Sequence, residues 1–274
     1  MMSQTISVLM AAYQQQRPEH FARALESIFA QVQPVQQLVL TLTGRSGPEQ
    51  EAIVARYAVD PRINDVRVLR LARTVDLPEA LNIGLNACTG TWIMCMDSAD
   101  ESLPDRSAVQ LDYVRQHPVD LVGGWTEEVL EGKPARVLAT PTTHEAIVKA
   151  LAWRNILAHA GMLVRADTLR AAGGYRSNYP PLADWDLWVR LALANARFAV
   201  IPKVLVRMLT GTEQRSQRRG LRYLQHEVRF RTYCWMRGFS SFRQYAFSTA
   251  TYATFRLAGA VSVHRLKSRT MAWR

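Results

Sequence analysis

The sequence predicts an α/β fold: a mostly parallel central sheet flanked by helices, continued by a basic, helical C-terminal extension. Three observations carry this expectation. Apolar strand-like runs alternate with helix-spaced segments from residue 5 to residue 125, the pattern of right-handed βαβ units. One of those runs, Trp92-Ile93-Met94-Cys95-Met96, ends abruptly in Asp97-Ser98-Ala99-Asp100, and open α/β sheets build ligand sites at the carboxyl ends of their strands. The charge is also unevenly divided. Residues 211–274 hold 13 Lys+Arg against 2 Asp+Glu, whereas residues 1–210 hold 21 of each. The whole formal net charge of +11 therefore belongs to the C-terminal quarter. The expected organisation is one domain over 1–210 and an aromatic-rich basic extension over 211–274.

The elements follow in order. Thr5–Ala12 is a short apolar run suited to a buried strand. Pro18–Gln31 has helical spacing through Phe21, Leu25, Ile28 and Phe29. Leu38–Thr43 is strand-like and is closed by the turn chemistry of Gly44-Arg45-Ser46-Gly47-Pro48. Glu49–Tyr57 reads as a helix, Val66–Leu71 as a strand, and Leu77–Ala87 as a helix closed by Thr89-Gly90. Trp92–Met96 is the fourth strand, Pro104 starts a helix to about Gln116, and Leu121–Gly124 is the fifth strand. Residues 126–180 look mixed, with a strand at Met162–Arg165 and a helix at Ala166–Ala172 ended by Gly173-Gly174. Asp184–Ala194 reads as a helix. Phe198–Met208 reads as a strand that Pro202 interrupts, hence bulged or at an edge. Gln217–Met236 and Phe242–Ala260 read as two C-terminal helices.

Composition bounds the class. With 274 residues, 48% of them hydrophobic and 21% charged, the chain can bury a sizeable core. Cys88, Cys95 and Cys234 form no CxxC pair, as expected of reduced thiols in a cytosolic compartment. No run approaches the roughly 18 apolar residues of a spanning helix. The N-terminus has no basic region before its apolar run, and that run is too short for a signal peptide.

Several motifs recur in a particular order: Ile6-Ser7-Val8-Leu9-Met10 with Tyr13; Ala24-Leu25-Glu26-Ser27-Ile28 with Gln31; Ala80-Leu81-Asn82-Ile83-Gly84-Leu85; Met96-Asp97-Ser98-Ala99-Asp100 with Leu103-Pro104-Asp105-Arg106; Ala172-Gly173-Gly174-Tyr175; and Asp184-Trp185-Asp186-Leu187-Trp188-Val189-Arg190-Leu191. Over roughly residues 5–210 this set resembles the family 2 glycosyltransferases of the GT-A fold, closest to their bacterial exopolysaccharide, capsule and O-antigen (amylovoran-type) branch.

The resemblance implies inverting transfer of a sugar from a nucleotide diphosphate sugar to a glycan acceptor, carried on undecaprenyl diphosphate, in surface polysaccharide assembly. Asp97 matches the first acid of the family's DxD motif, as donor or metal contact, with Ser98 beside it; the other reading is a cap for the helix after Pro104. Mg²⁺ or Mn²⁺ is the implied cofactor, with Asp97 and Asp100 as ligands. Asp184 matches the catalytic base, its surroundings dried by Trp185 and Trp188; an N-cap role is the alternative. Ala11, Tyr13, Thr43 and Asn82 are expected on the donor side, Asn82 equally as a packing group. His159, Trp185 and Asp186 are expected on the acceptor side, with a buried, satisfied histidine and a structural acid as the alternatives. Arg215 and Arg218 could clamp the diphosphate with forked donors, or form a solvated basic face.

Three positions depart from the family pattern. Leu42-Thr43 stands where two acids precede a glycine, Ala99 stands at the second acid of DxD, and Ala183 replaces the Glu before the base. A catalytically silent homologue that binds a glycan or a partner is therefore the second functional reading. A nucleotidyltransferase is a third, disfavoured because Ala11-Ala12-Tyr13-Gln14 offers no Gly-rich phosphate loop. In the extension, Phe239, Phe242, Tyr245, Phe247, Tyr252, Phe255 and Trp273 are interleaved with Arg243, Arg256, Arg265, Lys267 and Arg269. Aromatics among bases suit an anionic membrane surface better than nucleic acid, for which no binding motif is present. The expected location is cytoplasmic, peripheral to the inner membrane.

Overall fold

A computed structural model of the chain describes residues 4–13, 17–130, 132–209 and 221–257. The chain divides into two compact units, Met1–Thr210 and Gly211–Arg274. The first is built on a nine-stranded sheet of order β3-β2-β1-β4-β8-β6-β9-β5, with β7 paired to β6.

Its first half is a run of crossovers. β1 (Ile6–Tyr13) is buried over nearly its whole length and pairs in parallel with β2 (Gln37–Thr43) and β4 (Trp92–Asp97). β3 (Asp65–Leu71) pairs in parallel with the outer side of β2. Helices α1 (Pro18–Phe29), α2 (Pro48–Ala58) and α3 (Leu77–Ala87) make the connections, and each carries proline in its first turn, where no amide donor is needed. α1 buries Phe21, Ala24, Leu25, Ile28 and Phe29 against Ile6, Val8, Met10, Leu38 and Leu40 of the sheet. α3 lies closer still. A Cβ on Gly84 would fall 2.7 Å from Leu9 Cδ1 and 2.8 Å from Thr41 Oγ1, so this approach requires glycine.

Past β4 the sheet changes character. β8 (Leu163–Arg165) is antiparallel to both β4 and β6 (Leu121–Val129), while β9 (Phe198–Leu209) is parallel to β6. The long ladders are thus parallel and the short ones antiparallel. β9 slips in register against β6 around Trp125, where Gly124 faces Ile201 and Trp125 faces Val204. Pro202 falls within the skipped stretch, so the bulge expected of a strand proline is present. Strand β5 (Glu101–Ser102) closes the far edge on β9, and β7 (Arg136–Leu138) adds to β6.

Several boundaries differ from the sequence expectation. α4 (Arg106–Gln116) begins two residues after Pro104, because residues 103–105 form a turn after β5. β6 runs on to Val129, sustained by the second half of β9. α5 (His144–Leu151), β5 and β7 were not expected at all; their runs are too short for a periodic signal. α6 (Ala166–Ala171) and α7 (Ala183–Leu193) fall where the spacing puts them.

The described residues of the second unit form two helices, Leu221–Met236 and Phe242–Leu257. Arg231 donates to Ser248 Oγ (2.8 Å) and lies 4.6 Å over the Tyr252 ring, and Trp235 stacks on Tyr245 at 5.4 Å. Residues 217–220 and 258–260, expected to extend these helices, lie outside the described residues.

Candidate active site

In the parallel half of the sheet, β1 ends between β2 and β4, whose connections run to opposite sides. Open α/β sheets bind ligands outside the carboxyl ends of such strands. Ala11 faces Asp97 across the β1–β4 ladder, and Tyr13 faces Thr43 across β1–β2. Four of the expected donor-side residues therefore share one end of the sheet.

Asp97 is the last residue of β4, and its side chain is 47% exposed. It faces a polar chain. His159, from a short helical turn at His159–Gly161, donates through Nδ1 to Asp97 Oδ1 at 2.7 Å. Its Nε2 lies 2.8 Å from Tyr175 Oη, which is 3.5 Å from Cys95 Sγ. His159 and Tyr175 are buried. Burial works against a charged imidazole, but Cys95 and Asp97 outweigh it and hold the His159 pKa well above the ordinary histidine value. For Tyr175, burial acts first, and Cys95, Asp97 and Asp184 add to it; its phenol pKa lies well above the usual value.

Tyr175 is held from behind. Asn82 on α3 donates Nδ2 to the Tyr175 carbonyl and accepts the Tyr175 amide at Oδ1, both at 2.8 Å. Gly173 and Gly174 adopt φ of +77° and +63°, and a Cβ on Gly174 would collide with Asn82 Oδ1. The Gly-Gly turn is thus what lets the tyrosine backbone meet the asparagine.

Asp184 lies in the first turn of α7, one residue inside the helix rather than at its cap, which is Leu182. Its Oδ1 accepts the Trp185 amide at 2.7 Å and its Oδ2 accepts Asn155 Nδ2 at 2.7 Å. The side chain is half-buried. Asp184, like Asp97, adds to the effect of burial on the Tyr175 phenol.

Several of the expected residues are engaged by the protein itself. Thr43 is buried, and its hydroxyl accepts the Val75 amide at 2.8 Å, so it fastens the β3–α3 loop instead of facing a ligand. Asn82 commits both ends of its amide to Tyr175, which is the packing alternative. Ser98 is buried. Trp185 is buried and donates Nε1 to the Leu151 carbonyl (3.0 Å). Asp186, with no side-chain exposure, pairs with Arg190 at 2.8 Å, and Arg190 Nη2 in turn donates to the Gly174 carbonyl (2.6 Å). Helical geometry turns both inward from Asp184, and for Asp186 this is the structural-acid alternative. Tyr13 is half-buried, its pKa pushed up to about 12 by burial and by Asp76. Arg215 and Arg218 lie outside the described residues. Tyr175, Asn155 and Asp76, the acid that caps α3 beside Tyr13, were given no role by sequence reasoning. Only the Gly-Gly-Tyr string hinted at the first.

Among the described residues, no group of three or more His, Cys, Asp or Glu side chains is set to hold a metal ion. Asp100, expected as a second ligand, is buried and accepts the Leu209 amide (3.2 Å). Of the two expected ligands, Asp97 presents a half-exposed carboxylate. That suits a hard cation drawing the rest of its shell from a diphosphate and water. Such a cation, when bound, offsets charge on a leaving diphosphate.

The architecture and this constellation define a nucleotide-sugar-type α/β transferase. The family model for glycosyl transferase family 2 matches residues 7–169, and the chain belongs to that family; it is a glycosyltransferase. It is 29% identical over 223 residues to the amylovoran biosynthesis glycosyltransferase AmsE of Erwinia amylovora, covering 81% of this chain and 82% of that one. It is 24% identical over 254 residues to the Escherichia coli UDP-Gal:alpha-D-GlcNAc-diphosphoundecaprenol beta-1,3-galactosyltransferase, covering 92% and 90%. Among solved structures, S. aureus TarS 1–349 in complex with UDP-GlcNAc aligns with a TM-score of 0.66 at 14% identity, over 82% of this chain and 64% of that one. At that identity the likeness speaks for the GT-A-type fold alone.

Proposed function

We propose that this chain moves a sugar from a nucleoside diphosphate sugar to a glycan hydroxyl, with inversion, during bacterial surface polysaccharide assembly. The observation that carries the reading is the half-exposed Asp97 at the carboxyl end of β4, tied through His159 to Tyr175. In this reading Asp184 takes the proton of the acceptor hydroxyl as its oxygen attacks the anomeric carbon. The bond to the diphosphate breaks on the opposite face, and the diphosphate leaves with the electron pair. Asn155 orients the base through its hydrogen bond to Oδ2. Asp97, held by His159, contacts the donor or a cation riding on its diphosphate.

The relatives name the surrounding chemistry. AmsE is an amylovoran enzyme, and the E. coli relative by its name uses UDP-Gal and a diphosphoundecaprenol-linked acceptor. A lipid-linked acceptor for this chain agrees with its C-terminal unit. Trp235, Met236, Phe242 and Phe247 are exposed there beside Arg237 and Arg243, as on a surface that meets an anionic leaflet. No described helix is long and apolar enough to cross a membrane, which leaves peripheral binding as the mode proposed.

The test is Asp184→Asn assayed with a panel of UDP-sugars and a lipid-diphosphate-linked sugar acceptor. Transfer should fall by about 10²–10⁴-fold with the melting temperature kept. Full turnover by that variant would end the assignment of the base, and no donor binding by the wild-type chain would favour a silent homologue.

A further inference from the structure

Arg106 opens α4, and its side chain is completely enclosed, at 0% exposure. Enclosing a cation costs several kcal/mol unless its donors and charge are met. The donors are met. Nε donates to Gln110 Oε1 (3.1 Å), Nη1 to Ser102 Oγ (2.9 Å), and Nη2 to the carbonyls of Cys95 (3.0 Å) and Met162 (3.2 Å). Nη1 also lies 3.6 Å from Met96 Sδ.

The charge is met differently. Two other buried arginines, Arg190 and Arg231, each pair with a carboxylate four residues earlier, Asp186 and Glu227. Among the described residues Arg106 has no such partner, and all its contacts are neutral. The carboxylates near enough to act on it are Asp97 and Asp100, across the turn that ends β4. Burial lowers its pKa to about 10, with Cys95, Asp97 and Asp100 acting the other way. At neutral pH the guanidinium is still charged.

Its contacts also bracket the donor contact. Cys95 precedes Asp97 by two residues on β4. Met162 directly follows the turn that carries His159. One guanidinium edge grips both carbonyls, and Gln110, which holds Nε, donates to the Gly161 carbonyl at 2.9 Å. The two backbones whose side chains meet as Asp97 and His159 are joined directly, Cys95 N donating to the Met162 carbonyl (3.0 Å), and the buried guanidinium braces that same junction.

We propose that Arg106 is a positioning residue for Asp97: its fork fixes the strand end and the His159 turn in one frame, and its charge backs the Asp97–Asp100 turn, so that a donor diphosphate approaches acids already countered from within. The inference rests on Asp97 being the donor contact.

The test is a double-mutant cycle on the full chain, with calorimetry of the tightest binder among UDP, GDP and ADP. Arg106→Lys keeps the charge but loses the two-carbonyl grip. It should weaken nucleotide binding on the order of tenfold when Asp97 is present and by less than about twofold in an Asp97→Asn background. Ser102→Ala strips one hydrogen bond from the guanidinium and keeps its charge. It should show the same dependence on Asp97 at about threefold, and it decides the matter should the lysine variant not fold. Equal losses in both backgrounds would show a general packing role and overturn the proposal, as would wild-type affinity in both variants. A wild-type chain that binds none of the three nucleotides sinks the donor reading, and the inference falls with it.

Discussion

At the scale of single residues, the site depends on polar groups that are buried and fully engaged. Tyr175 touches His159 and Cys95 through its hydroxyl and Asn82 through both backbone groups. That arrangement needs a left-handed glycine immediately before it. Gly174→Ala should destabilise the chain by about 1–3 kcal/mol, from backbone strain together with the collision at Asn82. The urea midpoint measures this, and an unchanged midpoint would mean that the Asn82–Tyr175 clamp is loose. Little of this was legible beforehand. Asp97 and Asp184 could be read because acids among apolar residues stand out in a sequence. Arg106 could not, since a lone arginine at a helix start normally reads as solvated. The inward turn of Asp186 was legible in part, because a residue two places beyond Asp184 faces elsewhere on a helix.

At the scale of elements, α7 and the Gly-Gly turn are joined by the Asp186–Arg190 pair. Both side chains are buried, so removing one leaves the other as an uncompensated interior charge. Asp186→Ala should cost about 3–5 kcal/mol. Replacing both residues with apolar ones should cost much less, and a denaturation series of the single and double variants separates the two effects. The elements themselves were largely readable. The first four strands and three helices follow from apolar periodicity, because each buries one face against one neighbour. The gaps occur where that link breaks. β5, β7 and α5 are short segments that owe their form to partners, β9 and β6 for the strands, so local pattern gives no warning of them.

At the scale of the whole molecule, charge and apolar exposure are segregated. The 1–210 stretch is balanced, and the basic excess lies in 211–274 together with exposed Trp235, Met236, Phe242 and Phe247. Sedimentation with vesicles containing anionic lipid should pull down the chain, and vesicles of neutral lipid should do so far less. Arg237→Glu with Arg243→Glu should weaken the anionic binding by about 1 kcal/mol or more per position. Equal partitioning to both vesicle types would count against an electrostatic contact. The asymmetry was visible in composition alone, whereas the exposure of individual aromatics required the packing of the two helices.

One consequence follows from the order of the sheet. β3 ends it on one side, and its outer backbone groups are the kind that recruit a strand from another molecule. Arg67 and Arg70 stand along that rim, paired with Asp65 and Glu51, so two such rims brought together would juxtapose guanidinium groups. A second copy adding a strand there would meet that row of guanidinium groups, which disfavours the open rim as a seat for fibrous stacking.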